Sequence, residues 1–141
     1  MGVSSDAMLF YGFSAEDEDS WEEIFDGKDW DEAIAEKKGL RAPEVDYSAS
    51  EENKEIHRAY WAKKVALLAD EPCVFNMHCS DSCSILYVCI RESEVVASRG
   101  EAVEVKTLTV NLAWDGQLKA FCDLMGIPWQ QPRWYLVSYM G

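Results

Sequence analysis

The sequence predicts an α+β fold, a single domain with a mainly antiparallel sheet and three to four helices. Three observations carry that expectation. Apolar residues recur with a helical period before Pro72 and with period two after it. Helix and strand signals are mixed without a regular strand–helix–strand alternation. Two strand pairs, 73–80 with 84–91 and 94–98 with 102–106, are joined by short polar or glycine-containing turns.

In chain order, Ala7–Phe13 is a nearly continuous apolar run closed by Ser14, which suits a buried strand. Two short acidic helices follow. Ser20 with Glu23 forms a capping pattern, Trp21 and Phe25 sit one turn apart, and Gly27 can end the first helix. Asp29 with Glu32 repeats the start signal, Trp30 and Ile34 share a face, and Lys37, Lys38 and Gly39 mark the stop. Arg41–Ser50, with Pro43, reads as a loop that delivers Ser48 and Glu51 as the next cap. The longer helix this opens runs to about Ala69. Its stripe is Ile56, Ala59, Tyr60, Lys63 and Leu67, with Trp61, Val65 and Leu68 beside it. Cys73–Ser80 alternates as a strand and turns at Ser80–Ser82 into Ser84–Arg91. Glu94–Ser98 and Ala102–Lys106, around Arg99–Gly100, read as a second hairpin or as the continuation of the first. Trp114–Met125 is helical, with Leu118, Phe121, Cys122 and Met125 on one face and Gly126 as the stop. Pro128 and Pro132 bracket a loop before a last strand, Trp134–Met140.

The 141 residues suit one domain, 1–141, with an acidic helical segment at about 14–40 and an α/β core at about 48–141. A chain of this size buries about two-thirds of its surface on folding, enough for a core without staples. The hydrophobic share of 48% and 17 aromatic residues supply that core and exclude a disordered chain. No run of 18 apolar residues occurs, so no membrane helix is expected. The opening MGVSSDAMLF lacks the basic region of a secretion signal. Five cysteines then read as reduced thiols of a cytoplasmic protein.

The formal charge of −13 is concentrated at one end. Residues 1–55 hold 17 acids against 5 bases, whereas residues 56–141 hold 9 against 8. Glu16, Asp17, Glu18, Asp19, Glu22, Glu23, Asp26, Asp29, Asp31, Glu32 and Glu36 share their stretch with one base, Lys28. Nucleic acid and anionic membranes are thereby excluded as direct partners, because binding either requires cations on the protein. A cationic protein surface is the natural target. Were the stretch mostly helical, it would extend about 30 Å. Duplex DNA of that length carries roughly 18 phosphate charges, so the acids would reproduce more than half of that density. Trp21 and Trp30 among these carboxylates serve either as anchors to the core or as contact points for the partner.

Other chemistry is weakly signalled. Cys79-x3-Cys83 straddles a turn beside His78 and offers one zinc-ligand pair, but no second pair follows. A cysteine nucleophile needs a base, and His78 should point away from Cys79 because neighbours on a strand face opposite sides. With Gly27 as loop position 6, Ile24 and Ala33 fall where a calcium loop needs oxygen ligands. No phosphate loop, dinucleotide fingerprint or serine-nucleophile motif occurs. No cofactor, metal or catalytic residue is expected.

Four marks remain: Leu9-Phe10-Tyr11-Gly12-Phe13, Ala97-Ser98-Arg99-Gly100, Leu118-x2-Phe121-Cys122 with Gly126-Ile127, and the ending Trp134-Tyr135-Leu136-x-Ser138-Tyr139-x-Gly141. Together they resemble a family of small proteins of bacteriophage and prophage genomes. The resemblance covers the first strand and roughly residues 95–141, not the acidic stretch, and it implies no activity. A phage setting implies a counter-defence role in the bacterial cytoplasm. The expected function is a non-enzymatic acidic protein of anti-CRISPR or anti-restriction type that blocks a basic, nucleic-acid-binding surface of a host defence protein. The alternatives are an immunity protein that neutralises a basic nuclease toxin, and a metal-binding or thiol enzyme using Cys79, Cys83 and His78.

Overall fold

A computed structural model describes residues 5–15 and 19–140, without the side chains of Asp19, Ser20 and Glu22. The fold is α+β, with five strands, mostly antiparallel, and four helices among the described residues. In chain order these are β1 (Ser5–Ser14), α1 (Asp19–Phe25), α2 (Trp30–Lys37), α3 (Glu51–Ala69), β2 (Cys73–Ser80) and β3 (Ser84–Ile90). A short 3-10 turn at Arg91–Ser93 precedes β4 (Val95–Ala97), α4 (Trp114–Met125) and β5 (Arg133–Met140). The chain divides into two compact units, Met1–Trp21 with Pro72–Gly141, and Glu22–Glu71.

In the first unit, β1 pairs with β5 from Ser5 opposite Met140 to Gly12 opposite Arg133. Its other edge is shared by β4, at Ala7–Leu9, and by β3, at Gly12–Ser14. β2 pairs with β3 as the expected hairpin, and its end runs parallel to β5 at Cys79 and Ser80. The order β3-β2-β5-β1-β4, with the additional β3–β1 pairing, closes four strands into a ring. Closure is permitted by Gly12. A Cβ there would lie 2.0 Å from the Val88 carbonyl oxygen and 2.7 Å from the Cys89 Cα.

One face of the sheet packs Phe10, Tyr87 and Cys89 with Val74, Tyr135 and Val137. Phe10 and Tyr87 stack with ring centres 3.9 Å apart, and Tyr135 stacks on Phe10 at 5.5 Å. Elsewhere in this unit α4 packs on β2 and β3 through its apolar stripe of Leu118, Phe121, Cys122 and Met125, all buried as expected. Phe121 meets Phe75 at 5.1 Å, and Trp21 meets Phe13 and Phe75 edge-on. Two hydrogen bonds pin the start of α4. The Tyr11 hydroxyl donates to Asp115 at 2.6 Å, and the Trp114 indole donates to Glu92 at 2.6 Å.

In the second unit α2 packs on α3, burying Ala33, Ile34 and Ala35 on one helix and Tyr60 and Lys64 on the other. Lys38 pairs with the buried Glu71 at 2.5 Å, which ties the ends of the two helices. The sequence grouped Glu51–Ala69 with the sheet; the structure places it with the acidic helices.

Several local expectations need correction. The cap of α3 is Ser50, whose hydroxyl accepts from the Asn53 amide, and not Ser48, which is held in a turn by Asp46. Asp29 occupies the cap position of α2 but its side chain makes no capping bond. The α3 stripe is narrower than its periodicity suggests, since Ile56, Trp61 and Val65 are exposed and only Tyr60 and Lys64 are buried. A single neighbouring helix covers only one narrow line of a 19-residue helix.

The second hairpin forms its turn but not its second arm. The Glu101 amide donates to the Ser98 carbonyl at 2.9 Å and Gly100 takes φ +79, yet no strand follows. β4 has three residues, too short an edge to register a long partner. Val103, Val105, Leu108 and Val110 are left exposed. Among the described residues, no backbone hydrogen bond outside the regular elements involves 102–110. Amides in this stretch are therefore expected to exchange at near-unprotected rates, and trypsin should cut after Lys106 before it cuts after Lys119 in α4. Slow exchange across 102–110 would show instead that the stretch is paired.

Candidate functional site

The acidic stretch forms two helices of seven and eight residues, not a rod. Asp26 and Gly27 both adopt left-handed backbone, φ +50 and +71, and the Lys28 amide donates to the Phe25 carbonyl across the turn. The two short helices expected from the sequence therefore form, each spanning about 10–12 Å, and the length of about 30 Å for a single continuous helix does not apply. Glycine supplies the reversal, and Asp is among the few other residues that tolerate this backbone.

Of the expected contact residues, Glu16, Asp17 and Glu18 lie outside the described residues, as do the side chains of Asp19 and Glu22. Glu23, Asp26, Asp29 and Asp31 are exposed, and no described ion pair engages them. Glu32 and Glu36 are half-buried. Lys28, the single base of the stretch, is committed to Glu36 at 2.5 Å. That contact holds the Glu36 carboxyl below its ordinary range and Lys28 above it. A recess of about 500 Å³ lies against α1 and α2, and Lys28, Lys37 and Arg41 line it together with Glu23, Asp26 and Glu36. Glu23 and Asp26 thus share its lining with these cations, whereas Asp29 and Asp31 lie outside it on exposed positions. Trp21 is 2% exposed and anchors α1, so it offers no surface to a partner. Trp30 is half-buried, 6.4 Å from the Phe25 ring.

The end of the β2–β3 hairpin holds an arrangement that strand alternation argued against. Cys79 adopts φ +78, which turns its side chain back toward its neighbour. His78 Nδ1 lies 3.1 Å from Cys79 Sγ, and its Nε2 lies 3.1 Å from Ser14 Oγ on β1. Cys79 and Cys83 are exposed, whereas Cys73, Cys89 and Cys122 are buried. No sequence signal marks this trio, because a cysteine in left-handed backbone is not foreseeable from neighbouring residues. Among the described residues no group of three His, Cys, Asp or Glu side chains is arranged to hold a metal ion.

A further polar cluster escaped the sequence reading. Glu94 Oε2 accepts from the Tyr87 hydroxyl at 3.1 Å and from Asn76 at 3.4 Å, with Cys89 Sγ at 3.6 Å. Burial and this carboxylate push the Tyr87 hydroxyl and the Cys89 thiol far above their ordinary values. Both groups stay neutral and structural. Among the described residues no helix is long and apolar enough to cross a membrane. No family model, curated protein or solved structure matches the chain.

Proposed function

We propose that this chain is a non-enzymatic, phage-type acidic protein that occupies a basic, nucleic-acid-binding surface of a bacterial defence protein. The supporting observation is the group of exposed carboxylates Glu23, Asp26, Asp29 and Asp31 around the α1–α2 turn, with Lys28 already engaged by Glu36. Carboxylates free of internal partners can form charge-assisted bonds to arginine and lysine, and they steer association over the screening length. The array works as a local patch rather than as a straight phosphate ladder, because the chain reverses at Asp26–Gly27.

Glu23→Lys, Asp29→Lys and Asp31→Lys together test this reading. Each reversal adds two charges, so three take the formal charge from −13 to −7. Asp29 makes no capping bond, and all three positions are exposed, so the melting temperature should stay within a few degrees of the parent. The parent, immobilised, should capture basic proteins from bacterial lysate that added duplex DNA releases, and the triple variant should capture at most a tenth as much at low salt. Equal capture by parent and variant, or capture indifferent to DNA and salt, would sink the proposal. The chain alone should leave a random DNA duplex unshifted at physiological salt, since net charge −13 offers nothing to displace counterions.

A further inference from the structure

We propose that Cys79 is a nucleophilic thiol, with His78 as its base and Ser14 as a positioning residue, that exchanges with low-molecular-mass disulfides. The site lies in β1 and the β2–β3 hairpin and is independent of the acidic helices.

The geometry needs one tautomer. With the proton on His78 Nε2, that nitrogen donates to Ser14 Oγ at 3.1 Å, and the Nδ1 lone pair faces Cys79 Sγ at 3.1 Å. In that tautomer Ser14 holds the ring in place with the accepting nitrogen beside the thiol. Half-burial of His78 lowers its pKa, which keeps the ring neutral and able to accept at neutral pH. The positive φ of Cys79 is a backbone state that L side chains rarely adopt, and it brings the two side chains together. The thiol itself is exposed to a reagent.

The other groups near the pair leave His78 as its base. From β5, Tyr139 is the register partner of Cys79, and its hydroxyl donates to Asp81 beyond the hairpin turn. From β3, the Tyr87 ring lies 5.9 Å from the imidazole, and its hydroxyl is kept neutral by burial beside Glu94. The Asp81 carboxylate is the one charged group in this set, and it opposes a thiolate. Activation therefore depends on the imidazole. In the exchange, the Cys79 proton passes to His78 Nδ1 and Sγ attacks one sulfur of the disulfide. The S–S bond breaks, the departing thiolate takes the proton from the imidazolium, and a mixed disulfide remains on Cys79.

Cys83 supplies an internal control. It is exposed on the same hairpin, and the described hydrogen bond of His78 Nδ1 goes to Cys79 and not to Cys83. The full chain is treated with 4,4′-dithiodipyridine across pH 5–10, and labelling at Cys79 and Cys83 is followed by peptide mass spectrometry. Around neutral pH the Cys79 rate should lie above that of Cys83, because the neutral imidazole takes the proton as the sulfur attacks. At pH 7 it should exceed Cys83 at least about three-fold, through general-base assistance that Cys83 lacks. His78→Asn should lower the Cys79 rate to that of Cys83, and Ser14→Ala should lower it part of the way, with the fold retained by circular dichroism. Coincident profiles for Cys79 and Cys83 in the parent chain would overturn the proposal without recourse to any variant.

Discussion

Gly12→Ala is expected to cost at least about 3 kcal/mol, a large part of the stability of a domain of this size. The added Cβ would sit 2.0 Å from the Val88 carbonyl oxygen and 2.9 Å from the Val88 carbonyl carbon. Both are backbone atoms, so no side chain can swing aside to relieve the overlap. Relief requires β1 to part from β3, and their pairing at Gly12–Cys89, Phe13–Val88 and Ser14–Tyr87 is what closes the ring of strands. Parting these strands also loosens the stack of Phe10 on Tyr87, both fully buried. The melting temperature should fall by about 10 °C or more. Gly116→Ala is the matched control: its Cβ meets nothing within 4 Å and it lies inside α4, so the change should be neutral or stabilise by up to about 1 kcal/mol. Near-ultraviolet circular dichroism of the many tryptophans reads both variants. A Gly12→Ala protein that melts with the parent would show that β1 and β3 do not approach so closely.

The second large effect is loss of stability in alkali. Burial raises the Cys122 thiol to about 11, and burial together with Asp115 raises the Tyr11 hydroxyl to about 12. Burial, then Glu94, pushes the Cys89 thiol up further still. In the unfolded chain these groups ionise near pH 8.5 for cysteine and near 10 for tyrosine. Each therefore holds its proton more tightly in the folded state. The stability they confer is complete below the unfolded value and is lost as pH rises through the folded one. Loss should begin near pH 9 and continue past pH 11, with Cys122 alone contributing about 2 kcal/mol. Urea midpoints at pH 7, 9 and 10.5 should fall in that order. Cys122→Ser, which does not titrate there, should show a shallower fall from its own, lower starting point. A midpoint constant from pH 7 to 10.5 would mean that these thiols reach water.

Legibility differed between the two halves of the chain. The stretch Phe10–Phe13, the alternation of Cys73 and Phe75 and the stripe Leu118–Phe121–Cys122–Met125 each bury what their period predicts, because local geometry alone sets which side chains share a face, whereas Met77 is half-buried and Cys79 is exposed where β2 ends. Trp21 and Phe25 likewise fix which side of α1 turns inward. Caps were less legible, since Ser48 and Ser50 are chemically equivalent candidates and only the fold of Asp46 onto Ser48 separates them.

Composition and period by themselves determined the α+β class, the helix positions, the strands other than the expected arm at 102–106, and the concentration of negative charge before residue 37. These are properties of neighbouring residues, and neighbours interact whatever the rest of the chain does. Only the tertiary structure decided that the ring of strands closes through Gly12, that β4 pairs with β1 and not with residues 102–110, and that α3 pairs with α2. It likewise set which carboxylates remain uncompensated, through the Lys28–Glu36 pair, and it brought Ser14 to His78 across 64 residues. Such contacts depend on where distant segments meet, and a backbone angle such as φ +78 at Cys79 is imposed by the strands that meet there rather than by the residue itself.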